Sequence, residues 1–131
     1  MVLERNDNLI GIDCGASKVL LQSAKINSNR TIISKGQYYK EYVYSSHPDW
    51  DPSYLPIPLD VQIEENNNKS ILISKAERRQ GDIIVKLLQD IIDNISGSQI
   101  GICFPGIKDD YGVTILANGP RIPKLLTRLS K

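Results

Sequence analysis

The consecutive residues Asp13-Cys14-Gly15-Ala16-Ser17-Lys18 bring an acid, a hydroxyl and a base together with only small side chains between them. That inventory suits a phosphate group and its metal ion. Gly15 and Ala16 let the backbone come close, so that N–H groups can point at phosphate oxygens. Ser17 offers a hydroxyl and Lys18 a positive charge. Asp13 has the same sign as a phosphate, so its place in such a turn makes sense only with Mg²⁺ between the two, held directly or through water. A D-x-G sequence is also ordinary turn chemistry, and the flanking elements decide between the two readings.

An apolar run, LIGI, leads into this turn and a second, VLLQSAKI, leaves it. The pattern predicts two strands folded back on each other, residues 9–13 and 18–26. Strand, turn, strand is not the strand, turn, helix of the Walker and Rossmann loops, which are therefore excluded. After the turn residues 27–30, the β-branched and aromatic run 31–44, interrupted by Gly36, predicts a third strand and an antiparallel meander. Residues 45–69 are expected to be irregular, because Pro48, Pro52, Pro56 and Pro58 deny both helix interior and central strand. They read as a surface excursion held by Trp50, Tyr54 and Leu55, ahead of the alternative of a lid or substrate loop. Residues 64–68, EENNN, read as a solvated turn.

Ser74 and Glu77 fit a capping box. From there Ile84, Leu87, Leu88, Ile91, Ile92 and Ile95 recur at three- and four-residue steps, which predicts a helix with one stripe facing a core. Gly81 weakens its first half by ~1 kcal/mol relative to Ala, which leaves a start nearer Asp82 as the alternative to Ser74, and Gly97 is placed to end it. Residues 99–104, QIGICF, then form a strand parallel to an earlier one through a right-handed crossover. Its unbroken apolar run predicts cover on both faces. It ends in Pro105-Gly106 and a turn-rich segment, 107–112, at the carboxyl end of a strand, where ligands sit in open α/β sheets. A short strand, 113–117, a loop, 118–123, and a helix opening at Lys124 complete the chain.

The chain has 131 residues and a formal net charge of +1, a length suited to one domain with a modest core. No basic block interleaved with aromatics appears, which argues against nucleic acid as a partner. No apolar run approaches the roughly 18 residues of a membrane span, and no leader precedes the first strand. Cys14 and Cys103 lie in apolar runs and read as buried thiols of a reducing, cytoplasmic compartment. With a single His, they give no zinc spacing.

The order meander, helix, parallel strand, with an Asp-Gly-Ser turn between the first two strands, resembles the first half of an actin-like ATPase domain. The fold class expected is therefore α/β, a ribonuclease H-like half-domain. Within that superfamily, GIDCGASK is similar to the G-x-D-x-G-G-T-K phosphate loop of the ROK family of sugar kinases and repressors. GICFPGIKDDYGVTILANGPRIP is similar to a family segment with a G-x-x-x-P-G strand end, an Asp three residues on, a Gly-led hairpin and a P-N-L-P-like element. The resemblance covers most of the chain except residues 45–69. A related phosphate loop occurs in N-acetylhexosamine kinases and activator ATPases, but Pro105-Gly106 favours the ROK pattern.

The resemblance implies an ATP-dependent carbohydrate kinase whose cofactor is Mg·ATP. Asp13 would orient Mg²⁺ through water. Gly15, Ala16 and Ser17 would wrap the β- and γ-phosphates, with Lys18 beside them. Pro105 and Gly106 would floor the sugar cleft. Three departures stand out. Ala16 replaces a family Gly, at about 1 kcal/mol if that position needs φ > 0. Arg121 replaces the Asn that touches a sugar hydroxyl, and would suit an acidic or phosphorylated ligand; otherwise it is a solvated loop cation. No residue here matches the family's second Asp, which takes the proton from the attacking hydroxyl, nor its sugar-clasping Glu and His, its zinc cluster or its adenosine-binding lobe. The expectation is one lobe, inactive alone, that self-associates or is completed by a second lobe. The alternative is a non-catalytic sugar- or phosphosugar-binding module on the same fold.

Overall fold

The computed structural model describes residues 8–95, 99–108 and 112–130. Strands β1 (Leu9–Cys14), β2 (Lys18–Ile26) and β3 (Ile32–Val43) form the antiparallel meander. A 3₁₀ turn, Tyr44–Ser46, is followed by helices α1 (Leu59–Asn67) and α2 (Lys75–Asp93). Strand β4 (Gln99–Cys103) pairs parallel with β1, giving a mixed sheet of order β3-β2-β1-β4. Strands β5 (Ile107–Lys108) and β6 (Val113–Ile115) make a separate antiparallel pair, and α3 (Leu125–Leu129) closes the described chain. The protein is thus α/β, with three α-helices among the described residues.

Alternation decides the two faces of the sheet. Ile10, Ile12 and Cys14 of β1 and Val19 and Leu21 of β2 are buried and share one core with Ile84, Val85, Leu88 and Ile91 of α2. At roughly 1.5–3 kcal/mol for each large aliphatic side chain buried, this face supplies most of the driving force. The helix starts where expected: Ser74 Oγ accepts from the Glu77 N–H at 3.1 Å. Leu87, Ile92 and Ile95 flank the stripe, half-buried. Gly97, the expected terminator, lies outside the described residues; α2 ends at Asp93 with Asn94 as its C-cap. Gly81 has a packing reason, because a Cβ there would stand 3.3 Å from Ile122 Cγ1. The break expected at Gly36 appears as an irregularity in β2–β3 pairing between Gln22 and Ala24. There the buried Ser23 hydroxyl accepts from the Tyr38 N–H and Gln22 Nε2 donates to Gly36 O.

Three expectations are corrected. Residues 45–69 are not irregular throughout, and 64–68 is not a solvated turn, since α1 occupies Leu59–Asn67. Pro58 is its N-cap, a place where the missing proline N–H costs nothing. The excursion is held by Trp50, stacked on Tyr44 at 5.5 Å, and by half-buried Tyr54, whereas Leu55 is 82% exposed. Strand β4 is not covered on both faces. It has one strand neighbour, β1, and Gln99, Gly101, Ile102 and Cys103 are exposed, so Cys103 is not a buried thiol.

Candidate functional site

Register fixes the surroundings of the turn. Cys14 pairs with Val19 and Asp13 with Leu20, leaving residues 15–17 to connect the strands. Asp13 is the exposed member of the alternation on β1 and stands on the face opposite α2. Cys103 is its partner on β4, and Pro105 and Gly106 follow directly after Phe104. Phe104 is buried, Pro105 half-buried and Gly106 exposed with φ 95°, so a glycine is needed where the chain leaves the strand. Around Asp13 the open face forms a shallow depression of about 490 Å³, bordered by Leu20, Gln22, Tyr39 and Cys103 over the paired glycines Gly11 and Gly101. Without side chains at those two glycines the centre of this face is bare backbone.

The turn is only partly open to an anion. The Gly15 N–H donates to Lys18 O at 2.8 Å, and Gly15 O accepts from the Tyr44 hydroxyl at 3.1 Å. Both backbone groups of Gly15 are therefore engaged inside the protein. Ser17 O accepts from the Tyr44 N–H. The N–H groups of Ala16 and Ser17 donate to nothing among the described residues, and both residues are exposed. Neither Gly15 nor Ala16 has positive φ, so alanine at position 16 carries no backbone strain. Lys18 Nζ lies 3.5 Å from Glu41 Oε1, which also accepts from the Tyr39 hydroxyl at 2.8 Å. That hydroxyl, and then Lys18, hold the Glu41 carboxyl below its usual range.

Among the described residues, the donor expected to serve a metal at the turn is one exposed carboxylate, Asp13. No group of three or more His, Cys, Asp or Glu that could hold a metal occurs among the described residues. A lone exposed carboxylate fits an ion held through water and completed by ligand oxygens, not a closed protein cage. Cys14 is no nucleophile: burial, with the charges of Asp13 and Cys103, pushes its thiol up to about 12. Burial likewise raises Tyr44, which keeps its proton and its bond to Gly15.

Arg121 is corrected on one of its expected readings, because it is not a solvated loop cation. It is 1% exposed. Its Nε and Nη2 donate to the two oxygens of buried Glu77, each at 2.9 Å, and Nη1 donates to Glu65 Oε2 at 2.9 Å. A second Nη2 bond reaches Leu72 O, and the Arg121 N–H donates to Glu77 Oε2. This is a bidentate Arg–carboxylate pair with a second carboxylate added, joining α1, α2 and the segment before α3. Glu77 faces Arg121 rather than completing the capping box. Sequence reasoning missed Glu65 and Gln62. Gln62 Nε2 donates to Ile57 O and Leu116 O, and Gln62 Oε1 accepts from the Leu116 N–H, so α1 docks by polar groups.

No protein-family model, no curated protein and no solved structure matches this chain. No helix among the described residues is long and apolar enough to cross a membrane.

Proposed function

We propose that this chain is one lobe of an ATP-dependent sugar kinase of ROK type, built on an actin-like ATPase half-domain, that holds the phosphate end of Mg·ATP and is inactive alone. The observation that carries this reading is Asp13 exposed near the carboxyl end of β1, in the strand that leads into a turn where the N–H groups of Ala16 and Ser17 donate to nothing among the described residues. The sheet order supports it, with the meander followed by a helix and a strand parallel to β1. Asp13 would hold Mg²⁺ through water, and the ion would offset phosphate charge. The chain's own share is positioning: two N–H donors, the Ser17 hydroxyl and, when released from Glu41, Lys18. Pro105 and Gly106 border the same strand ends and would floor the sugar side. The Arg121 guanidinium is taken up by Glu77, Glu65 and Leu72 O, so it is given no role in substrate binding on this reading. Phosphoryl transfer depends on positioning and charge stabilisation, and among the described residues no base for the attacking hydroxyl is assigned.

The direct test is calorimetry with Mg·ATP on the chain and on Asp13→Asn. Binding that needs Mg²⁺ and weakens in the variant is expected; binding indifferent to both would remove the assignment. A hexose panel with Mg·ATP should give no ADP above background, and clear turnover would sink the claim of an incomplete site.

A second reading is favoured by the engaged Gly15 N–H and by the Lys18–Glu41 pair, which leave the turn fewer donors than a triphosphate needs. On that reading the chain is a non-catalytic sugar- or phosphosugar-binding module in the cytoplasm. Binding of a phosphosugar without nucleotide or Mg²⁺ would select it.

A further inference from the structure

A second concave site lies between α2 and α3. The first half of α2, the approach to it and the segment from Arg121 to Arg128 enclose a cleft of about 500 Å³, within the size range of small-molecule sites. Ile71, Ile73, Ile122 and Pro123 give it apolar walls. Arg78, Lys124, Arg128 and the almost fully buried Arg121 line it with a single acid, Asp82. Arg128 Nη2 donates to Asp82 Oδ1 at 2.8 Å. Neither the Arg78 guanidinium nor the Lys124 ammonium has a hydrogen bond or ion pair among the described residues. With Glu65 and Glu77, the partners of Arg121, included, Arg78, Arg121, Lys124 and Arg128 still outnumber Glu65, Glu77 and Asp82.

The local fold is arranged to make this cleft. Arg78 and Asp82 are one helical turn apart on α2, and Gly81 between them lets Ile122 pack close. A glycine inside a helix costs about 1 kcal/mol relative to alanine, so the close approach is what accounts for it. Opposite, a Cβ at Gly112 would lie well inside contact distance of Ile122 O and Leu125 N, which brings β6 under the same segment. Lys124 stands at φ 60°, in the left-handed region that residues other than glycine adopt uncommonly. Two unpaired cations of different type beside apolar walls are a recognition pattern. The guanidinium can grip a planar or tetrahedral oxyanion through two N–H groups, and the ammonium adds a point charge.

The geometry points to a binding site for a phosphate monoester with an apolar body, its head between Arg78 and Lys124 and its body on Ile122 and Pro123. The site is separate from the Asp13 turn and needs no metal. Phenyl phosphate is the probe. Calorimetry and amide shifts on the 131-residue chain should show saturable binding, with shifts centred on Arg78, Gly81 and Lys124. Arg78→Gln and Lys124→Gln should each weaken it roughly tenfold, and inorganic phosphate, lacking the apolar body, should bind more weakly. Asp82→Asn, which releases Arg128, should tighten binding, and Lys35→Gln on β3 should leave it unchanged. Both cations are exposed, so thermal melting of these variants should match the parent. The proposal is overturned by no heat or shift at millimolar probe, by undiminished affinity in both cation variants, or by shifts centred on Ala16 and Ser17.

Discussion

Arg121 with Glu65 and Glu77, and Lys18 with Glu41, are both ion pairs between distant parts of the chain, yet they sit under opposite conditions. The Arg121 side chain is 1% exposed, and Glu77 not at all. Lys18 and Glu41 are 45% and 42% exposed and 3.5 Å apart. In the first cluster, water has been replaced by five bonds to Arg121, and nothing nearby could substitute for a lost partner. In the second, solvent screens the pair and replaces either member readily. The buried cluster therefore holds α1, α2 and the segment before α3 in place, while the exposed one leaves Lys18 free to change partners. That freedom is what a phosphate-binding lysine requires, and the Arg121 guanidinium, with every nitrogen already donating to the protein, lacks it.

The largest expected effect follows from breaking the buried cluster. Arg121→Met leaves Glu77 and Glu65 without their cation and should cost roughly 3–5 kcal/mol. For a chain of this size that is a large share of total stability, and urea unfolding should show the midpoint falling sharply or no folded baseline at all. Arg121→Lys keeps the charge but loses the fork, so it should fall between parent and Arg121→Met. A midpoint near the parent's in both variants would mean the cluster is not what joins the three elements.

An intermediate effect belongs to Glu65 and is visible in pH. Burial pushes its carboxyl up, but the bonds from Arg121 and from the Leu72 N–H outweigh this and hold it below the ordinary carboxylate range. A depressed folded-state value contributes stability that is present above the unfolded value and lost as pH falls through the folded one. Stability should therefore hold from neutrality into the ordinary glutamate range and fall below it. Glu65→Gln should be less stable at neutral pH and show a shallower acid limb. An acid limb as steep as the parent's would place the titration elsewhere.

The contrast also explains which parts of the architecture could be read from residue pattern. The meander and α2 are written in apolar periodicity, with turn residues at 15–17 and 27–30 and a cap at Ser74, and each formed as expected. Helix α1 reverses the usual code. Its Leu59, Val61 and Ile63 are 47%, 42% and 42% exposed, while Gln62 is fully buried and Glu65 faces Arg121. A pattern search looks for apolar residues facing inward, so a helix docked through an amide and a carboxylate passes for a solvated turn. Arg121 misled for the same reason, since its partners are 44 and 56 residues away in the chain. At the turn the residue types were readable, but the capture of the Gly15 N–H by Lys18 O depends on strand register.

The two cysteines sharpen the same contrast with a smaller chemical effect. Cys14, on the packed face, is held as a thiol, its value pushed up to about 12. Cys103, at the open edge of β4, is exposed. At mildly alkaline pH a maleimide should label Cys103 in the native protein and reach Cys14 only after urea is added. Mass spectrometry of the native adduct should show a single label, and rapid double labelling would mean that β4 does not sit against β1 as described.

The smallest effect is expected where the exposed pair is cut. Lys18→Gln and Glu41→Gln should leave the urea midpoint unchanged within error, because solvent replaces each lost partner. Their functional consequences should differ in sign. Glu41→Gln releases Lys18 and should tighten binding of Mg·ATP or a phosphosugar at the turn, whereas Lys18→Gln should weaken it. Calorimetry on the two variants separates a lysine held in reserve for a phosphate from one that merely decorates a strand. If both variants bind as the parent does, Lys18 belongs to the surface of β2 and not to the site beside Asp13.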